Sequence, residues 1–146
     1  MTSNRFVIIL LILIFFLHTV AIINFWYWTF WWFDIVMHFL GGFWVASLFF
    51  NLNSKLNFLP NNLTINNSII KNLTIIVLSL GFVALIAVLW EFFEFFYDVF
   101  ISVKGYPWVA QQGMSDTMTD LFLGFLGGFV ATIIILKKKL IRSYSG

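Results

Sequence analysis

Four long apolar stretches, with polar residues gathered towards their ends, set the pattern of this chain. The first follows Arg5 and runs from Phe6 to Trp28. Its roughly 23 residues make about 35 Å of helix, enough to cross a bilayer. The second runs from Asp34 to about Phe50, and the third from about Thr74 to Phe100. The fourth runs from about Ser115 to Leu136 and ends in Lys137-Lys138-Lys139. Residues 51–73 are polar and Asn-rich, with Lys55, Pro60 and Lys71, and predict a cytoplasmic loop. Ile101 to Gly113, with Lys104, Gly105 and Pro107, predicts a turn-rich link. The pattern therefore predicts an all-α integral membrane protein, a four-helix transmembrane bundle in which residues 1–146 form one domain. A cleaved signal peptide is the competing reading of the first stretch. Its apolar region is too long, and the aromatic run from Phe25 to Phe33 stands where a small-residue cleavage site belongs. That run predicts an interfacial belt.

Composition agrees. The chain is 62% hydrophobic and only 10% charged, against about 25% charged for soluble domains. It has no cysteine, which excludes thiolate metal sites and leaves the redox compartment unread. Four spans bring both termini to one side. Arg5, Lys55, Lys71, Lys137, Lys138, Lys139 and Arg142 share that side, and Lys104 alone lies across. The excess of positive charge places both termini in the cytoplasm of a multi-pass plasma-membrane protein. The sequons Asn62-Leu63-Thr64, Asn66-Asn67-Ser68 and Asn72-Leu73-Thr74 then face inward. Lys137 to Lys139 read as a cytoplasmic stop, with anionic-lipid contact as an extra. Neither a phosphate-cradling loop nor a nucleophile elbow is present, and nothing indicates nucleic-acid binding.

The same topology puts all six acids, Asp34, Glu91, Glu94, Asp98, Asp116 and Asp120, in the outer half of the bundle. Offsets of three and seven place Glu91, Glu94 and Asp98 on one helix side, opposite Phe92, Phe93, Phe95 and Phe96. Along the axis, Glu91 lies about 10 Å deeper than Asp98. Asp34 and His38 are four apart, with Gly41 and Gly42 continuing their face. Asp116 and Asp120 are likewise four apart, continued by Gly124, Gly127 and Gly128. On the third stretch the small residues are Ala87, Ala84 and Gly81. Such residues let membrane helices approach closely, so the packing faces and the acidic faces are expected to coincide.

Helix capping is the plain explanation for Asp34 and Asp116. It fails for Glu91, Glu94 and Asp98, which crowd a helix C-terminus. An acid at mid-membrane costs about 2.5–3.5 kcal/mol, and each large apolar residue returns only about 0.3–0.6 kcal/mol. Ionisable groups at such cost point to a functional site. Six carboxylates at close range need a cation or protons. Oxygen ligands with one imidazole suit Mg²⁺, Mn²⁺, Ca²⁺, Fe²⁺ or Zn²⁺. The expected ligands are Asp34, His38, Glu91, Asp98 and Asp120, with Glu94 or Asp116 as general base. His18 lies within reach of the cluster, although a neighbouring backbone or hydroxyl group is its plainer partner. The Trp26 to Trp32 run reads as an interface anchor rather than a ligand cage.

Three motifs, Asp34-x3-His38-Phe39, Trp90-Glu91-x2-Glu94 and Asp116-x3-Asp120-x3-Gly124-x2-Gly127, resemble the YjdF-like family of bacterial membrane proteins. A more distant likeness is to the VanZ-like family, associated with glycopeptide-antibiotic tolerance. VanZ-like sequences carry Gln where Glu94 stands and a basic residue shortly before the last Asp. This chain has neither, which favours the YjdF-like likeness. The resemblance covers the second to fourth spans and implies a compact helical membrane protein with polar residues at these positions. The leading expectation is an outward-facing divalent-metal site that binds or acts on a membrane-lipid head group or a lipid-linked phosphate substrate. The alternatives are an ion- or proton-coupled carrier or channel, formed as a homo-oligomer, and an accessory membrane subunit without catalysis. Against the carrier, no polar file continues inward below Glu91.

Overall fold

The computed structural model describes residues 3–57, 68–102, 109–111 and 113–144. Its regular structure is all helix, with no strand among these residues. The helices are α1 (Asn4–Ile23), α2 (Trp26–Thr29), α3 (Trp31–Leu56), α4 (Ser68–Phe100) and α5 (Met114–Tyr144). Four of them, all but the single turn α2, are long and apolar enough to cross a membrane. Their outer faces are bare hydrocarbon, with Phe15, Phe16, Phe92 and Phe93 each more than half exposed. Such surface fits lipid rather than water.

The first helix ends at Ile23, short of the expected Trp28. Asn24 turns its side-chain amide onto the Val20 carbonyl at 2.8 Å, competing with the helical ladder. Phe25 then adopts a left-handed backbone, φ 61°. The chain folds back through α2, so Trp26 and Tyr27 pack with Ala21, Phe33 and Met37. The aromatic run is thus part elbow and part surface. Phe33 is 5% exposed, whereas Trp31 is 80% exposed.

Three helices run past the apolar spans. α3 continues to Leu56 and α4 begins at Ser68, so the ends of the expected loop 51–73 are helical. Asn51 explains part of this, because its amide donates to the Asn4 side chain at 2.8 Å and ties α3 to the start of α1. Asn57, at φ 49°, ends the helix in the left-handed conformation usual at C-termini. α5 carries Lys137 to Lys139 on a helix that reaches Tyr144. Pro60, the sequon at Asn62, the first two residues of the sequon at Asn66, and Lys104, Gly105 and Pro107 lie outside the described residues.

Side-chain contacts fix the topology. Trp44 Nε1 donates to the Val7 carbonyl at 3.0 Å, which with the Asn51–Asn4 bond sets α1 antiparallel to α3. Ser79 and Thr132 share a buried hydrogen bond of 2.9 Å, and Val83 packs on Gly128, so α4 is antiparallel to α5. α3 and α5 are parallel, His38 facing Asp120 and Gly42 facing Gly124. The start of α1 and the end of α5 therefore share one end of the bundle. Arg5, Lys55, Lys71 and Lys137 to Lys139 lie at that end, and all six acids lie towards the other.

The core is built from Val45, Ala46, Val83 and Ala131, with Phe43, Trp44, Phe82 and Ile86 around them. Its tightest seam is glycine against backbone. A Cβ on Gly42 would overlap the Gly124 carbonyl, and one on Gly127 would overlap the Phe39 carbonyl. One on Gly128 would stand 2.7 Å from a Val83 methyl. Gly41 and Gly81 differ from expectation, since a Cβ on either would meet nothing within 4 Å. Only some of the small residues serve the close approach.

Candidate functional site

Because α3 starts at Trp31, with Phe30 as its cap, Asp34 stands one turn inside the helix. It pairs with His38 instead of capping. His38 Nε2 lies 3.3 Å from Asp34 Oδ1, an i,i+4 pair, and 3.7 Å from Asp120 Oδ1 on the neighbouring helix. The glycine seam one turn deeper brings α5 close enough for the second contact. One ligand atom from each of the three residues lies within 4.8 Å of the others. Ligands held about 2.1 Å from an ion stand roughly 3–3.5 Å apart at tetrahedral or octahedral angles. The His38 distances need little contraction to meet that. Asp120 is only 3% exposed, its ion pair is with His38, and it accepts no hydrogen bond among the described residues. A buried carboxylate without donors is costly unless a cation or proton offsets it.

Asp34 and Asp120 open onto a cleft of about 320 Å³, lined also by Trp31, Ile35, Ser115, Asp116 and Thr119. Asp116 is thus on the wall of the site, in the first turn of α5. Thr119 donates its hydroxyl proton to the Ser115 carbonyl at 2.8 Å, which leaves its oxygen free only to accept.

The carboxylates of α4 are distributed differently. Glu91 is 6% exposed and bonds to Thr117 and Gln111, while its Oε2 has no partner among the described residues. Glu94 is half-buried and accepts from Trp90 Nε1 at 2.8 Å. Both lie near enough to His38 to interact with it electrostatically, yet outside the Asp34–His38–Asp120 group. Asp98 is committed elsewhere. Its two oxygens accept the backbone N–H groups of Ala110 and Gln111, each at 2.8 Å. The structure therefore brings three of the five expected ligands together and sets Glu91 and Asp98 apart from them.

His18 reaches the edge of this region through a different partner. Its Nδ1 is 2.7 Å from the Tyr27 hydroxyl, and its ring meets Trp90 edge-on. Burial, reinforced by the Asp34 and Glu94 carboxylates, pushes the Tyr27 phenol up from its ordinary value. A phenol that keeps its proton donates to Nδ1 and places the His18 proton on Nε2. Sequence reasoning missed Tyr27, Gln111 and Thr117. Tyr27 was hidden in the aromatic run, and only the backward fold at Phe25 pairs it with His18. Gln111 sits in a polar link with no periodicity. Thr117 had one visible signal, its position one turn before Asp120.

No curated protein and no solved structure matches the chain. A family model described as "Predicted membrane protein (DUF2238)" matches residues 1–139. With nearly its whole length matched, four helices fit to cross a bilayer and an acidic and histidine cluster between two of them, the chain belongs to that family of membrane proteins.

Proposed function

We propose that this protein holds a divalent cation between α3 and α5 and uses it to bind, or act on, a lipid head group or lipid-linked phosphate. Asp34, His38 and Asp120 are the ligands. The observation that carries this reading is His38 Nε2 set between carboxylates of two helices, at 3.3 and 3.7 Å. One nitrogen with two oxygens suits Mn²⁺, Fe²⁺ or Zn²⁺ better than the all-oxygen shells of Mg²⁺ and Ca²⁺. Three protein ligands leave coordination positions open, and the cleft supplies the space beside them. An ion held there would polarise a phosphoryl oxygen or a bound water, and Asp116 on the cleft wall, or Glu94 behind it, would be the base that takes the water's proton. The basic end of the bundle faces the cytoplasm and the cleft opens at the outer leaflet of the plasma membrane. A carrier is less well supported, because the buried hydroxyls of Ser79 and Thr132 satisfy each other rather than extending a polar path.

Metal analysis of the purified protein, followed by Mn²⁺ titration, tests the reading. The parent is expected to bind about one ion. His38→Ala and Asp120→Asn, checked by circular dichroism for retained helix, are expected to bind on the order of a hundredfold more weakly. A parent that binds no divalent ion defeats it.

A further inference from the structure

Glu91 has no part in the cation site as described above, yet the helix register sets it against that site. α4 and α5 meet in a ladder of four-residue steps, as interlocking i±4 ridges do. Ser79 bonds Thr132, Val83 packs on Gly128, and a Cβ on Gly124 would stand 3.8 Å from that of Ala87. The next step outward sets Glu91 opposite Asp120, both of them buried, at 6% and 3% exposure. Their carboxylates are near enough to interact electrostatically. The same Cβ on Gly124 would stand 3.8 Å from the His38 carbonyl, so α3 joins the other two helices at this level. Glu91 therefore approaches the Asp34–His38–Asp120 group from α4, the one helix of the three that supplies it no ligand.

What marks Glu91 out among the acids is its Oε2. Thr117 and Gln111 hold the carboxylate, and Oε2 is left buried and without a hydrogen-bond partner among the described residues. An ionised carboxylate oxygen can only accept, and one that is buried and unmet is costly. Glu91 is not a ligand as it stands, because it lies outside the group whose ligand atoms come within 4.8 Å of one another. A water on the ion reaches further, standing about 2.1 Å from the metal and donating over about 2.7–2.8 Å more. We propose that Glu91 positions a water on the cation, its Oε2 accepting a hydrogen bond from that water while Thr117 and Gln111 fix the carboxylate. This rests on the cation reading and gives α4 a role in it. Asp116 and Glu94 remain the groups that would take the water's proton, and Glu91 aims the water.

Mn²⁺ titration of the detergent-purified protein tests this, with the waters on the ion counted by water-proton relaxation. Glu91→Gln, checked by circular dichroism for retained helix, is expected to bind Mn²⁺ about ten- to a hundredfold more weakly, the usual effect of losing such a partner. The number of waters on the ion is expected to stay the same. A gain of a water in Glu91→Gln makes Glu91 a direct ligand and overturns the proposal, as does unchanged affinity. A second readout does not depend on that variant. Glu91 and Glu94 are the only glutamates in the chain, so ¹³C-glutamate labelling picks out their carboxylate stretches in the infrared. Mn²⁺ is expected to shift a labelled band in the parent and in Glu94→Gln, which leaves Glu91 as the one labelled carboxylate. A band that stays still in both overturns the proposal even where Glu91→Gln fails to fold. Bound Mn²⁺ with Glu91 silent sinks this inference alone and leaves the cation reading standing, whereas a parent that binds no divalent ion ends both.

Discussion

Asp98 carries its negative charge at the C-terminal end of α4, where the helix dipole disfavours it. It is stable there because two backbone N–H groups, of Ala110 and Gln111, point at its oxygens. Charge-assisted bonds of this kind are stronger than neutral ones. In Asp98→Asn one of the two acceptors becomes a donor. Losing such a bond costs about 1–3 kcal/mol, so the Ala110 and Gln111 amides are expected to exchange with deuterium at least about fivefold faster. Unchanged protection would show that the clamp holds nothing. The face of α4 was legible in the sequence through its offsets of three and seven, but a shared face is not a shared level. Seven residues are about 10 Å along the axis, enough to take Asp98 to the chain before α5 while Glu91 stays beside Thr117. Asp34 and His38 were legible for the opposite reason, since an i,i+4 pair lies within one turn, whereas Asp120 reaches them from the neighbouring helix.

The contact between α3 and α5 is made of glycine because backbone meets backbone there. Gly127→Ala would push a methyl into the Phe39 carbonyl. It is expected to destabilise the helix pair by about 1–3 kcal/mol, the usual cost of overpacking. Gly41→Ala and Gly81→Ala, which meet open space, are expected to be neutral or to gain up to about 1 kcal/mol of helix propensity. Denaturant titration in mixed micelles measures all three, and a Gly41→Ala as damaging as Gly127→Ala would refute the seam. Sequence marked the small residues but not their partners. Successive residues on a helix point about 100° apart, so Gly41 and Gly42 cannot both face α5. Hydropathy reports what lipid accepts, not where helices stop. That is why the break at Asn24 and the polar extension of α3 to Leu56 were not visible in it.

At the scale of the molecule, charge is sorted along the bundle axis, basic residues at one end and acids towards the other. The basic end is expected to face the cytoplasm. The natural absence of cysteine makes this simple to test with single substitutions. Val109→Cys, at an exposed position before α5, should react with a membrane-impermeant maleimide in intact cells. Leu56→Cys, exposed at the far end of α3, should react only after permeabilisation. The inverse labelling pattern would reverse the orientation and turn the cleft inward.

The parallel arrangement of α3 and α5 also imposes an order on biosynthesis. Asp34 and His38 leave the ribosome and enter the bilayer long before Asp120 has been translated. During that interval they support each other through the one-turn pair within α3, with His18 and Tyr27 near Asp34. The pocket is therefore completed only once α5 is made, and a product truncated before α5 would carry two of its three ligands, exposed to lipid, for quality control to recognise.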